Sequence, residues 1–218
     1  MPNLRKDIDS YLQNLLALQF KASKNISHKP TKGSVREKFI KQVVKSEISD
    51  VTLASGTLTH DEWESSQCDF IWLKDRARVG EFSVYELSDC KMFMEIKSNA
   101  QHAELVALNT VADEIHQRSR AIDENTRVLV GMFCYATDAA DKTVLKKFGF
   151  QYDKDFQGYC PYDATKDTFK EIDFLFSLNI GEDGEPSPYI VIRDIFGNCS
   201  LYNANPVIAN FFNFFKQQ

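Results

Sequence analysis

Apolar residues recur along this chain with two alternating periods, and the switches between them predict its elements. From Leu4 to about Lys24, Ile8, Leu12, Leu15, Leu16 and Phe20 recur at three- and four-residue spacing, which predicts a helix with acids early and lysines late. Turn formers and positive charge from Ser27 to Gly33 predict a loop. A second helix is expected from Ser34, where Ser34-Val35-Arg36-Glu37 fits a capping box and Val35, Phe39, Ile40, Val43 and Val44 supply an apolar side. The period then drops to two. Asp50–Leu58 reads as a strand bent or bulged at Gly56, Gln67–Leu73 as a second, and Met92–Lys97 as the end of a third, so three strands meander after a helix.

The helical period returns between Asn99 and Arg120 through Leu105, Leu108, Val111, Ala112 and Ile115, with Ser98 or Asn99 as its cap. Arg127–Tyr135 is a continuous apolar run of strand length, expected at a central, parallel position with the preceding helix as its crossover. A helix from about Asp138 to Phe148 follows, then an irregular stretch to Thr168 and a strand at Ile172–Leu178. A turn at Gly181–Pro186 leads to a hairpin of Tyr189–Arg193 with Cys199–Tyr202. The closing helix, capped at Asn205, carries Val207, Ile208, Phe211, Phe212, Phe214 and Phe215 as a core stripe. No repeat or linker interrupts the pattern, so one domain is expected over residues 1–218, with a core at about 34–137 and an added unit at 172–217.

Charge changes this picture more than composition does. The net charge is −5, which disfavours indiscriminate binding to a polyanion. Yet Lys21 to Lys45 holds eight basic residues and one acid, whereas Glu47 to Asp69 holds six acids and no Lys or Arg. Such runs are commonly solvated faces, but a basic patch beside an acidic pocket also suits a protein that grips phosphates and holds a cation. No apolar run reaches membrane-spanning length, and no apolar signal region follows Met1-Pro2-Asn3-Leu4. Five cysteines without paired CxxC spacing argue against a disulfide framework or a zinc site. A cytoplasmic location is the expectation.

The usual phosphate-cradling loops, GxxxxGK[ST] and GxGxxG, are absent, as are HExxH and GxSxG. What remains is Asp69 with Glu95-Ile96-Lys97. On a strand, Glu95 and Lys97 share one face and Met92, Met94 and Ile96 the other, while Asp69 is expected beside Gln67, Ile71 and Leu73. A carboxylate from one strand and a carboxylate-x-lysine from the next can hold a divalent metal beside a cation. The same residues can equally form a same-face ion pair at a sheet edge, and Asp89-Cys90-Lys91 repeats the bare spacing. Glu37 caps the Ser34 amide, pairs with Lys41, or reaches the site through water. His102 and His116 are too far apart on their helix to share one metal and read as surface or packed histidines.

Three segments occur in the order found in the PD-(D/E)XK, restriction-endonuclease-like superfamily: Lys32-Gly33-Ser34-Val35-Arg36-Glu37 opening a helix, Ser66-Gln67-Cys68-Asp69, and Glu95-Ile96-Lys97-Ser98 before a helix. The chain resembles that superfamily, most of all a poorly characterised, mostly bacterial branch, over roughly Leu4 to Tyr135. The resemblance implies an α/β fold with a central mixed sheet flanked by helices on an αβββαβ core. It makes Asp69 the motif aspartate, Glu95 the second acid, Lys97 the motif lysine and Glu37 the helical glutamate. Cys68 stands where the named pattern has proline, which leaves the metal ligands intact. The implied chemistry is metal-dependent phosphodiester hydrolysis, in DNA ahead of RNA. Asp69 and Glu95 would hold Mg²⁺ or Mn²⁺ with the Ile96 carbonyl, and Lys97 would position or activate the attacking water. Lys32, Arg36 and Gln67 are expected to touch substrate, and an enzyme cutting both strands is expected to be a homodimer. The competing reading is an inactive nucleic-acid-binding or scaffold domain that keeps the fold.

Overall fold

The computed structural model describes residues 4–74, 83–124, 126–161, 168–181, 184–204 and 206–217. Its elements run α1 (Leu4–Ser23), α2 (Lys29–Glu47), β1 (Thr52–His60), β2 (Trp63–Glu64), β3 (Cys68–Leu73), β4 (Val84–Glu86), β5 (Cys90–Lys97) and α3 (His102–Ile122). They continue as β6 (Leu129–Cys134), α4 (Asp141–Lys147), β7 (Phe150–Asp153), β8 (Gly158–Pro161), β9 (Phe174–Ser177), β10 (Tyr189–Arg193), β11 (Cys199–Tyr202) and α5 (Val207–Lys216).

Among the described residues, nine strands form one mixed sheet in the order β11-β10-β9-β6-β5-β3-β1-β2, with β4 beside β1. The meander β1-β3-β5 is antiparallel, and β6 lies parallel to both β5 and β9. A strand enclosed on both faces has no solvent side to mark with polar residues, which is why β6 reads as an unbroken apolar run and every residue of it is buried. Helix α3 carries the chain from the end of β5 back to the start of β6, the crossover that parallel neighbours require. One sheet face packs on α1, α2 and α5 through Phe70, Trp72, Met92, Met94 and Ile96. The other packs on α3 and α4 through Ile71, Leu73, Phe93, Val130 and Met132. The aromatic stripe of α5 is core: Phe215 is fully buried and stacks on Trp72 at 5.9 Å.

Several expected boundaries move, each for a local reason. The loop expected at Ser27–Gly33 is largely the first turn of α2, because His28 caps that helix and takes the Thr31 N–H on its ring nitrogen at 3.4 Å. Pro30 fits there because first-turn amides need no helical acceptor. Ser34 to Glu37 therefore lie inside the helix, and Glu37 is not a capping residue. Helix α3 is capped by Gln101, whose N–H donates to Glu104 at 2.8 Å, rather than by Ser98 or Asn99. The irregular stretch expected after Gln151 contains the β7–β8 hairpin, whose polar tip hid its alternation. The closing helix is capped by Pro206 rather than Asn205, and Asn205 itself lies outside the described residues, as do Glu182 and Asp183 of the expected turn.

Candidate active site

A β-bulge places the first acid. Between the pairs Ala54↔Ile71 and Gly56↔Cys68 the register shifts, so that Asp69 and Phe70 together oppose Ser55. Gly56, next to the shift on β1, has φ at +151°, and a Cβ there would meet the Ser83 carbonyl oxygen at 1.8 Å, so glycine lets the segment before β4 approach. The extra residue breaks the alternation expected for β3. Cys68, not Asp69, joins Ile71 and Leu73 in the core beneath α3. The Asp69 carboxylate is thereby re-aimed along the sheet, where its Oδ2 accepts the Ile96 N–H at 3.0 Å. The Ser55 hydroxyl donates to the Asp69 carbonyl at 3.0 Å, and Lys41 Nζ donates in turn to Ser55 Oγ.

The second acid comes from the neighbouring strand. Met92, Met94 and Ile96 are buried under the α1–α2–α5 layer, which turns Glu95 and Lys97 to the opposite face. Lys97 Nζ donates to Glu95 Oε2 at 2.7 Å. Burial raises the Glu95 pKa; the bond to Lys97 opposes that, and the Asp69 carboxylate, within hydrogen-bonding reach, adds to the rise. Burial would lower the Lys97 pKa, but Glu95 and Asp69 outweigh it and hold the ammonium charged. The expected same-face ion pair is therefore present, but at the end of a central strand between β3 and β6 rather than at a sheet edge, and with a second carboxylate beside it. Like charges in contact are unfavourable until a cation or proton enters between them.

The other expected site residues divide. Glu37 faces the same centre: burial first and Asp69 second raise its pKa, against Lys41 and Lys97. Gln67 lines a 260 Å³ cleft with Ser66, Glu95, Lys97 and Glu104. Lys32 donates to the Lys24 carbonyl at 3.3 Å, closing the end of α1. Arg36 is buried, donates to Ser23 Oγ at 2.7 Å and to Ser98 Oγ, and lies over the Phe20 ring at 4.2 Å. The structure thus directs Arg36 inward, to join α1, α2 and the end of β5. Lys41, Ser55 and Glu104 surround the centre without being singled out in the sequence pattern; the helical i, i+4 spacing of Glu37 and Lys41 is their one legible signal.

A hard divalent cation fits this donor set. Mg²⁺ is commonly held by one or two carboxylates and several waters, and Asp69, Glu95 and the Ile96 carbonyl supply oxygen alone. Among the described residues no group of three or more His, Cys, Asp and Glu side chains is placed to hold a metal, so a zinc-like cage is not what the site offers. None of the five cysteines is in a disulfide, and Cys68, Cys90 and Cys134 are buried with thiol pKa values pushed up by desolvation.

No protein-family model matches the chain, and no curated protein matches it by sequence. Solved structures do. NucC of P. aeruginosa ATCC27853 in its cAAA-bound form gives a TM-score of 0.67 at 11% identity, over 97% of this chain and 89% of that one. NucC of E. coli MS115-1 gives 0.66 at 12% identity in its cAAA-bound form, over 97% and 88% of the two chains. The apo form of the E. coli protein gives 0.58 at 10% identity, over 97% and 89%. The fold is the restriction-endonuclease-like α/β fold, a central mixed sheet flanked by helices. No helix among the described residues is long and apolar enough to cross a membrane.

Proposed function

We propose that this protein is a metal-dependent nuclease that hydrolyses phosphodiester bonds in DNA. The observation that carries the reading is that Asp69 takes the N–H of Ile96, the residue between Glu95 and Lys97, while Lys97 is bonded to the Glu95 carboxylate. A structural ion pair needs one acid; the second, delivered by a bulge, adds repulsion that a bound cation would relieve at neutral pH. Asp69, Glu95 and the Ile96 carbonyl would hold Mg²⁺ or Mn²⁺. When bound, the metal supplies Lewis-acid polarisation of the scissile phosphate.

The chain's own residues do the rest. Lys97, kept protonated by its two acidic neighbours, acts as a fixed donor rather than a base: it orients the attacking water and steadies charge developing on phosphate oxygen. Glu37, its proton affinity raised, is a candidate acceptor for a water proton at the edge of the centre. Gln67 and Ser66 line the cleft by which a strand would reach Glu95.

The test is incubation of the purified chain with Mg²⁺ or Mn²⁺ and single- and double-stranded DNA and RNA, with and without cAAA because the NucC structures hold it. Metal-dependent DNA cleavage lost in Asp69→Ala, and lowered by orders of magnitude in Lys97→Ala, supports the assignment. Cleavage by Lys97→Ala as fast as wild type sinks it. Metal binding without cleavage under any of these conditions would favour the non-catalytic binding domain.

A further inference from the structure

A second surface lies on the same face and at the same end of the sheet as the carboxylate pair. The backbone ties the two together: Ala100 N–H donates to the Ala136 carbonyl at 2.8 Å and Asp138 N–H to the Ala100 carbonyl at 3.0 Å. The segment leaving Lys97 is thus bonded to the segment that enters α4. Beyond it, α4 and the β7–β8 hairpin enclose a cleft of 790 Å³, larger than the one beside Glu95. Lys142, Lys146 and Lys147 line it together with Gln151, Tyr152 and Thr168, and among the described residues no acid does. Two neighbouring carboxylates, Asp141 and Asp153, have partners of their own. Asp141 accepts from Asn179 at 2.8 Å, and Asp153 takes the Asp155 and Phe156 amides of the hairpin turn at 2.8 and 3.2 Å.

Burial explains α4 only in part. Val144 and Leu145 are core, so the sequence Asp141–Lys147 must pack one side, but nothing in packing calls for three lysines on the side that remains. The hairpin adds aromatic surface that the core does not use. Tyr152 is exposed and meets Tyr159 edge to face at 5.3 Å, and Phe156 at the tip is 80% exposed. In a chain whose net charge is −5, a cleft whose described lining holds three ammonium groups, an exposed tyrosine ring and no acid is matched to a polyanion carrying flat rings.

We infer that the cleft between α4 and the β7–β8 hairpin holds the DNA strand that leads to the Asp69–Glu95 centre. Lys142, Lys146 and Lys147 contact successive phosphates, and an unpaired base packs on Tyr152. This rests on the nuclease reading for the identity of the polyanion, and its test is kept separate from cleavage.

The experiment measures binding of a fluorescein-labelled 20-nucleotide DNA, single-stranded and duplex, to the full chain by anisotropy in EDTA across a salt series, beside the cleavage assay. Replacing Lys142, Lys146 and Lys147 together by Ala is expected to weaken DNA binding about 10- to 100-fold at low salt. It should also reduce the log-affinity against log-salt slope by about 2 to 3. Tyr152→Ala is expected to weaken single-stranded binding about tenfold and duplex binding less. These residues face solvent or the cleft, and an unchanged melting temperature separates lost contact from lost fold. Wild-type cleavage that the triple variant retains in full, with unchanged affinity and salt slope, overturns the grip and leaves the nuclease standing. Lysine-dependent DNA binding with no cleavage leaves the grip and removes the nuclease. Stronger competition by polyglutamate than by DNA overturns the assignment of the occupant.

Discussion

A buried carboxylate at one end of the central sheet and a partly buried one at the other have opposite surroundings. Asp173, just before β9, is 1% exposed and fully provided for: its Oδ2 accepts from His116 at 2.9 Å and from the Val130 N–H at 2.8 Å, and its Oδ1 from Arg127. Burial alone would raise its pKa, but His116 and Arg127 hold it below the ordinary value of 3.8. At the far end of the sheet, Glu95 has one cation, a second acid against it and a raised pKa. Both centres cost desolvation. One is compensated by the fold and therefore holds the fold together; the other is compensated only in part. On the proposed function, the missing part is a metal cation, so the contrast distinguishes a structural carboxylate from a candidate catalytic one.

The largest test reverses the two. Asp69→Asn keeps an acceptor for the Ile96 N–H but removes a charge from the crowded centre. Cleavage should fall by about 10³-fold or more while the melting temperature stays or rises, since repulsion is removed. Asp173→Asn should do the converse. Breaking a buried pair of this kind costs about 3–5 kcal/mol, read as a lowered urea midpoint, with cleavage per folded molecule retained. If Asp69→Asn destabilises as much as Asp173→Asn, the distinction fails.

Titration sharpens the same contrast. The His116 pKa is raised: desolvation would lower it, but the bond and charge of Asp173 outweigh that. Its contribution is therefore complete below its ordinary 6.5 and is lost as pH rises through the raised value. Asp173 contributes above its ordinary 3.8 and loses that contribution as pH falls through its lowered value. The pair is at full strength between about 3.8 and 6.5, so chemical denaturation should show stability declining on the alkaline side of that window, and His116→Gln should flatten the decline. Glu95 runs the other way. Its carboxylate takes a proton as pH falls through a value above 4.5, so cleavage should be lost on acidification while the fold is still near its most stable.

The fold was more legible than the site. Strands β6, β10 and β11 and helices α1 and α5 follow from periodicity because burial on one or both faces dictates their residues. Glu95 and Lys97 were legible for the same reason, since strand alternation alone puts them on one face. Asp69 was legible as a residue but not as a direction: a one-residue bulge inverts every face assignment beyond it, and only Gly56 hinted at one. Arg36 was misdirected by its charge. A guanidinium in a basic run reads as a phosphate contact, yet its stacking on Phe20 and its hydroxyl partners, 13 and 62 residues away, are tertiary facts. The His116–Asp173 pair spans 57 residues and left no local trace at all.

The smallest test concerns how the bulge is kept. Ser55 stands between Lys41 and the Asp69 carbonyl, so its hydroxyl fixes the backbone that aims the carboxylate without touching the carboxylate oxygens. Ser55→Ala removes one partly buried hydrogen bond and frees Lys41 Nζ, at a cost of about 1 kcal/mol in stability. A purely structural role would stop there. If the hydroxyl positions Asp69, the variant should also need several-fold more Mg²⁺ to reach half-maximal cleavage, while its rate at saturating metal and its acid limb, set by Glu95, stay near wild type. Ser55→Thr, which keeps the hydroxyl, should restore the metal dependence. An unchanged Mg²⁺ requirement in Ser55→Ala would place the aiming of Asp69 in the Ile96 N–H and Gly56 alone.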